Sequence, residues 1–223
     1  MCGRFVVVAS LEDIADEFGL QESAGPVRRS YNVAPGTDVP VILNDGMPRL
    51  ASFRWGLIPS WAKDPSIGAR MINARAETVA KKPSFRTAFR KRRCLVVASG
   101  YYEWQKGDRK KIPHYIHYRS GQPFGFAGIY DTWVSPDREV IHSCAVITTS
   151  PNDRLKEIHD RMPAIIEKKD RALWLNPSVH EGTALMPLLQ PVDGAEMEAY
   201  PVSTLVNSPT QDLPDCMRPL EHR

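Results

Sequence analysis

Cys2 stands directly behind the initiator Met1 and is followed by Gly3 and Arg4. Cysteine is a small residue, so an aminopeptidase is expected to remove Met1 and leave Cys2 with a free α-amine beside its own thiol. A 1,2-aminothiol condenses with aldehydes: the amine forms a Schiff base, and the thiolate then closes a five-membered thiazolidine. The α-amine titrates near ~8, against ~10.4 for lysine, so a useful neutral fraction exists at neutral pH. Gly3 lets the backbone approach a ligand closely, and Arg4 is a candidate for holding an anion such as a phosphate. The plainer alternative is that Cys2 packs under the strand that follows it.

Other chemistry-bearing residues are scattered along the chain. Glu103 sits in an apolar, aromatic run with Tyr101, Tyr102 and Trp104. Burial there would raise its pKa and make it a usable general acid, whereas strand alternation could instead turn it to solvent. His159 lies between the end of a short helix and a strand, a place from which imidazole can shuttle protons near neutral pH, or serve only as a structural histidine. Asn73 could donate to a sugar or phosphate oxygen, or cap a helix; Arg75 could bind the same backbone. Trp61 could stack on a base or pin its loop to the core. His114 and His117 are three apart on an expected strand and face opposite sides, a poor metal pair.

The chain of 223 residues, 42% hydrophobic, suits one domain with a real core. No stretch is apolar for long enough to span a membrane, and the N-terminus lacks a secretory pattern. The 4 cysteines, Cys2, Cys94, Cys144 and Cys216, form no C-x-x-C pair and no zinc framework, so a reducing, cytoplasmic setting with neither metal nor cofactor is expected. Net charge is only +3, but Lys81, Lys82, Arg86, Arg90, Lys91, Arg92 and Arg93 crowd one stretch, and Arg109, Lys110 and Lys111 another. Such clusters track phosphate backbones or form solvated faces.

The elements that must position these residues are short. Arg4–Ala9 reads as a strand, followed by a helix capped by Ser10 and stopped by Gly19. Strands are expected over Val39–Leu43, Leu50–Leu57, Cys94–Ser99 continuing through Tyr101–Trp104, His114–Tyr118, Phe124–Trp133, Glu139–Thr149, Arg161–Ile166 and Met197–Ser203. Residues 59–70 form a long loop carrying Trp61. Short helices lie around Glu77–Ala80, behind Ser84, between Asn152 and His159, and over Asp170–Leu175 and Thr183–Leu189. Many strands with helices inserted between them indicate a single α+β domain, 1–207, with an antiparallel barrel-like sheet core and peripheral helices. Residues 208–223, polar and Pro-rich, read as a flexible tail.

Six blocks occur in a fixed order: Met1-Cys2-Gly3-Arg4-Phe5, Tyr31-Asn32-Val33-Ala34-Pro35, Trp55-Gly56-Leu57-Ile58-Pro59, Ile72-Asn73-Ala74-Arg75-Ala76-Glu77-Thr78, Gly100-Tyr101-Tyr102-Glu103-Trp104 and Ile158-His159-Asp160-Arg161-Met162-Pro163. This series closely resembles the SOS-response-associated peptidase (SRAP) family of abasic-site processing proteins, from Cys2 to about Asn207. The resemblance implies recognition of an abasic site in single-stranded DNA, typically at a replication fork or junction, and a covalent thiazolidine between Cys2 and the ring-opened sugar. It implies that Cys2 is the nucleophile, that Glu103 moves protons as the sugar opens, that His159 assists Schiff-base formation, and that Asn73 orients the sugar and the Cys2 terminus. It further implies phosphate contacts from Arg4, Arg75 and Arg86, a DNA turn shaped by Pro35 and Trp61, and Thr148 in the same groove. Some relatives carry a second aromatic immediately after the position of Trp61, where this chain has Ala62.

Two other readings remain open on the residues alone. Cys2, Glu103 and His159 also suit an autocatalytic peptidase acting through a thiol–imidazole pair. The basic stretch and Trp61 suit a non-covalent reader of modified or single-stranded DNA. A monomer is expected, in the cytoplasm and on the nucleoid when bound to DNA.

Overall fold

A computed structural model describes residues 2–21, 27–107 and 110–220. Thirteen strands and five short α-helices are present among them: β1 (Arg4–Val7), β2 (Ser30–Val33), β3 (Asp38–Asn44), β4 (Pro48–Trp55), β5 (Asn73–Arg75), β6 (Arg93–Ala98), β7 (Gly100–Lys106), β8 (Lys111–Tyr118), β9 (Phe124–Val134), β10 (Val140–Thr149), β11 (Met162–Pro163), β12 (Ile165–Ile166) and β13 (Met197–Pro201), with α1 (Leu11–Phe18), α2 (Ala76–Val79), α3 (Arg86–Lys91), α4 (Arg171–Leu175) and α5 (Gly182–Leu185). Strands β10, β4, β3, β6 and β9 pair in that order, and β9 pairs in turn with β10, so this sheet closes into a five-stranded barrel. A second sheet, ordered β13-β8-β7-β1-β2, packs on it. The fold is α+β in a single domain with a mostly antiparallel barrel core, as the sequence indicates; the β10–β4 and β10–β5 pairings are parallel.

The apolar pattern explains the layering. All six residues of β6 are buried, and Cys94 and Val96 face one cluster while Leu95 and Val97 face another. The first cluster joins the two sheets: the Phe5 ring meets Trp55 at 4.9 Å and Phe126 at 5.7 Å. The second lies under the helices, where Ile14 and Phe18 of α1 and Trp174 of α4 are buried. Helix α1 starts where expected: Ser10 and Asp13 form a reciprocal capping box, and Gly19 ends it in the left-handed region.

Several elements differ from the sequence reading. The long strand expected through Ser99 and Gly100 does change sheets there. Ser99 donates its amide to the Val6 carbonyl (2.7 Å), and a Cβ on Gly100 would meet the Tyr115 hydroxyl at 2.4 Å and its ring at 2.5 Å, so any larger residue would displace Tyr115. Residues 153–158 form successive turns rather than a helix, although Asn152 caps them by accepting from the Leu155 amide. Helix α3 begins after Phe85 with no side-chain cap from Ser84. The expected flexible tail is ordered over 208–220: it contains a 3-10 turn at Pro214–Met217, buries Cys216 completely, and bridges Val202 to Pro219.

The basic run also separates by depth. Lys81, Lys82, Arg86, Arg90 and Lys91 are exposed, but Arg92 pairs with the buried Asp131 at 3.1 Å. Arg93 is only 6% exposed and donates to the carbonyls of Phe89, Arg90, Trp174, Asn176 and Val179. It ties α3 and α4 to the start of β6 and is not available to phosphate. Replacing Arg93 by Met leaves five carbonyls without this donor, and the unfolding free energy in urea is expected to drop by about 3 kcal/mol. An unchanged transition would show that Arg93 is not the anchor described.

Candidate active site

Cys2, Asn73, Glu103 and His159 arrive from four separate segments. Strand β1 lies between β7 and β2, with Arg4 opposite Tyr102 and Phe5 opposite Tyr101. Phe5 and Val7 face the cluster between the sheets, while Val6 faces the outer side. Strict alternation would put Cys2 outward with Val6. It packs instead in the inner cluster, fully buried, so the chain turns inward around Gly3.

Asn73 opens β5, which pairs with β10. Its Nδ2 donates to the Cys2 carbonyl at 2.7 Å. Its Oδ1 is buried and has no hydrogen-bond partner among the described residues. The residue therefore holds the Cys2 backbone while presenting an acceptor, rather than acting as a helix cap.

Glu103 lies on β7, two residues beyond Tyr101, and is 2% exposed. The alternation question is settled inward. Burial pushes its carboxyl up to about 7, opposed by the positive charge of the amino terminus. His159 follows the 153–158 turns, and its Nε2 stands 3.6 Å from Glu103 Oε2. The Arg161 amide donates to His159 Nδ1 at 3.0 Å, which in the neutral ring leaves the proton on Nε2, toward Glu103. The Asp160 carboxylate, 3.0 Å from Nδ1, favours the protonated ring instead. Burial is the larger influence and holds the His159 pKa below its ordinary value.

The Cys2 thiol is pushed well up, first by burial and then by the negative charge of Glu103. A protonated thiol beside a carboxyl that titrates near neutrality suits chemistry in which the thiol acts second. The fully buried Tyr101 phenol, also raised by burial and by nearby Cys2 and Glu103, has no hydrogen-bond partner among the described residues.

Two features were not read from the sequence. Arg161 makes a two-pronged pair with Glu77 of α2 and donates to the Thr148 carbonyl. It fixes the segment that carries His159. Asp131 and Trp133 of β9 hold the loop on either side of Trp61: Asp131 accepts from the Ser60 amide at 3.0 Å, and the Trp133 indole donates to the Ala62 carbonyl at 2.7 Å. With both neighbours fixed, Trp61 stands 61% exposed and does not pin the loop itself. Glu77 and Ala62 lay within or beside the blocks noted above, but their partners are distant in sequence.

Pro35, Arg75 and Arg86 are exposed. Thr148 is a correction: it is completely buried, its hydroxyl donates to the Ala74 carbonyl, and Arg161 covers it, so it cannot touch DNA in this structure. Arg4 is half-buried, and its guanidinium donates to Asn32 Oδ1 (2.7 Å) and to the carbonyls of Val206 (2.7 Å) and Asn207 (3.2 Å). In the second basic cluster Arg109 lies outside the described residues; Lys111 is exposed at the start of β8, and its charge acts on both Glu103 and His159. Among the described residues no group of three or more His, Cys, Asp or Glu could hold a metal ion, and no helix is long and apolar enough to cross a membrane.

The chain is similar to known proteins over almost its whole length. It is 46% identical over 219 residues to the abasic site processing protein YoqW of Bacillus subtilis, covering 96% of this chain and 98% of that protein. It is 29% identical over 262 residues to the abasic site processing protein HMCES of Xenopus tropicalis, covering 97% of this chain and 78% of that one. A crystal structure of a protein from Bacteroides thetaiotaomicron superimposes with a TM-score of 0.88 at 31% identity, over 98% of this chain and all of that one. The sequence description of one family, SOS response associated peptidase (SRAP), matches residues 1–209, and the chain belongs to that family.

Proposed function

We propose that this chain processes abasic sites in DNA by bonding to the ring-opened sugar through Cys2 once Met1 has been removed. The observation that carries the reading is the meeting of Asn73 Nδ2 with the Cys2 carbonyl beside the buried Glu103 and its half-buried partner His159. The names of the relatives supply the substrate class.

The chemistry balances with the groups present. The Cys2 amine attacks the aldehyde carbon and gives a carbinolamine. Glu103, with a pKa near neutrality, protonates the leaving hydroxyl, and water departs to leave an imine. The thiol then adds across the C=N bond, sulfur to carbon and its proton to nitrogen, closing the thiazolidine with one water released overall. His159, neutral and 3.6 Å from Glu103, relays the proton between that carboxyl and solvent. Asn73 holds the Cys2 terminus and offers Oδ1 to a hydroxyl of the opened sugar. The partner is single-stranded DNA: Arg75, Arg86 and neighbouring lysines meet phosphates, and Trp61 stacks on a base near the turn at Pro35. The product shields the lesion in the DNA damage response.

The peptidase reading uses the same residues but asks for a reactive thiolate. Such sites lower a cysteine pKa, whereas burial and Glu103 push the Cys2 thiol up. A non-covalent reader would not need Cys2 at all.

On a denaturing gel, processed protein is expected to give a heat-stable shifted band with a single-stranded oligonucleotide bearing one abasic site. The band should be absent with Cys2→Ala, with an acetylated α-amine, and with lesion-free DNA. Wild type giving no band, with Met1 confirmed absent, would remove the cross-linking reading. Trp61→Ala is expected to weaken binding to lesion-free single-stranded DNA by about 1–3 kcal/mol, measured by fluorescence anisotropy in a Cys2→Ala background.

A third outcome concerns pH. Glu103 binds its proton more tightly in the folded chain, near 7, than at the ordinary value of 4.5. Stability from this group is therefore fully present below pH 4.5 and is lost as pH rises through about 7. Between those limits the unfolding free energy of wild type should fall relative to Glu103→Gln by about 3 kcal/mol. Parallel profiles in urea titrations would contradict the assignment.

A further inference from the structure

The segment after β13 forms a strap across the outer face of the second sheet, directly behind the reacting residues. Val206 and Cys216 are buried there with Val6, Tyr102 and Tyr115. Asn32, 3% exposed on β2, donates its side-chain amide to the carbonyls of Val206 (3.3 Å), Ser208 (3.0 Å) and Gln211 (2.7 Å). Asp212 accepts from the Tyr31 amide (2.6 Å) and the Ser30 hydroxyl (3.1 Å).

Two of the strap's contacts reach the neighbours of the reacting groups. Arg4, two residues from Cys2, donates to the carbonyls of Val206 and Asn207. Trp104, next to Glu103, donates its indole N–H to Asn207 Oδ1 at 2.7 Å. On the other side of Glu103, Tyr102 donates its hydroxyl to the Tyr31 carbonyl at 2.7 Å, and Tyr31 is itself held by Asp212. The backbone of Glu103 is thus fixed from both sides on the outer face while its carboxyl enters the inner one. The matched family region ends at residue 209, before Gln211, Asp212 and Cys216.

We propose that this C-terminal strap is a positioning device for the site, and that Asn207 is the residue through which it fixes Cys2 and Glu103 together. Asn207 touches neither reacting atom. It acts through Arg4 by its carbonyl and through Trp104 by its side chain, and a displacement of about 1 Å at a reacting group is enough to slow chemistry substantially. The effect on rate rests on the cross-linking reading above; the effect on the geometry of Glu103 does not.

The test compares wild type with Asn207→Ala, which removes the acceptor for Trp104, and Asn207→Asp, which retains it. Asp212→Ala loosens the strap at its far end as an independent variant. The first readout is the Glu103 titration midpoint, followed by NMR with side-chain 13C-labelled glutamate. Asn207→Ala and Asp212→Ala should move the midpoint down toward 4.5 as water enters, and Asn207→Asp should leave it in place. The second readout is the single-turnover cross-linking rate at saturating abasic DNA. It should fall roughly tenfold or more in Asn207→Ala and Asp212→Ala, recover in Asn207→Asp, and leave the affinity for lesion-free DNA unchanged. Unaltered midpoints in folded Asn207→Ala and Asp212→Ala overturn the strap proposal. Shifted midpoints in a protein whose wild type never cross-links support the strap and reject the cross-linking reading.

Discussion

Keeping the Glu103 carboxyl out of water costs free energy that the surrounding structure must offset. Its desolvation is what brings it to titrate near neutrality, and desolvation requires a lid of packed residues on every side. The inner cluster supplies one side, with Phe5, Trp55, Phe126 and Tyr101 in contact between the barrel and the second sheet. The same packing that raises Glu103 raises the Cys2 thiol and lowers His159. On the proposed cross-linking reading, one burial orders the chemistry: the amine is the group left to react first, and the thiol follows.

The fold converts that constraint into position. Strand β10 borders β4, β5, β9 and β11, so it brings Asn73 and the approach to His159 onto one strand. The crossing at Gly100 moves the chain from the barrel to the second sheet three residues before Glu103, which then lies across from β1 and its leading Cys2. The Glu77–Arg161 pair and the strap hold the remaining two approaches. Asn73 and Glu103 are carried on strands, Cys2 just before β1 and His159 on the segment between the 153–158 turns and β11.

That division also explains what could be read in advance. Cys2 and Glu103 stand out because each is an unusual residue type for its local surroundings, Asn73 and His159 take their roles from the family blocks, and the capping box of α1 follows from local spacing. What was illegible depends on distant partners. The strap reads as a disordered tail because its segment is polar and rich in proline; its order comes from Asn32, Arg4 and Tyr31, some 170 to 200 residues earlier. Arg86 and Arg93 sit in one basic run, but Arg86 opens α3 on an exposed face while Arg93 opens the buried β6 and meets five carbonyls. Thr148 reads as a groove residue until Arg161 is seen to cover it. Trp61 could have pinned its loop, but Asp131 and Trp133 do so, and the tryptophan is left outside.

The central claim, that Cys2 reacts through its amine and its thiol together, is tested most directly by mass spectrometry of the N-terminal peptide. Processed protein would be reacted with abasic single-stranded DNA, digested with nuclease and trypsin, and treated with iodoacetamide. The account predicts a peptide beginning at Cys2 that carries the sugar remnant less one water, with a thiol that resists alkylation. A remnant attached to a lysine, or a Cys2 thiol that alkylates freely on an unmodified peptide, would contradict it.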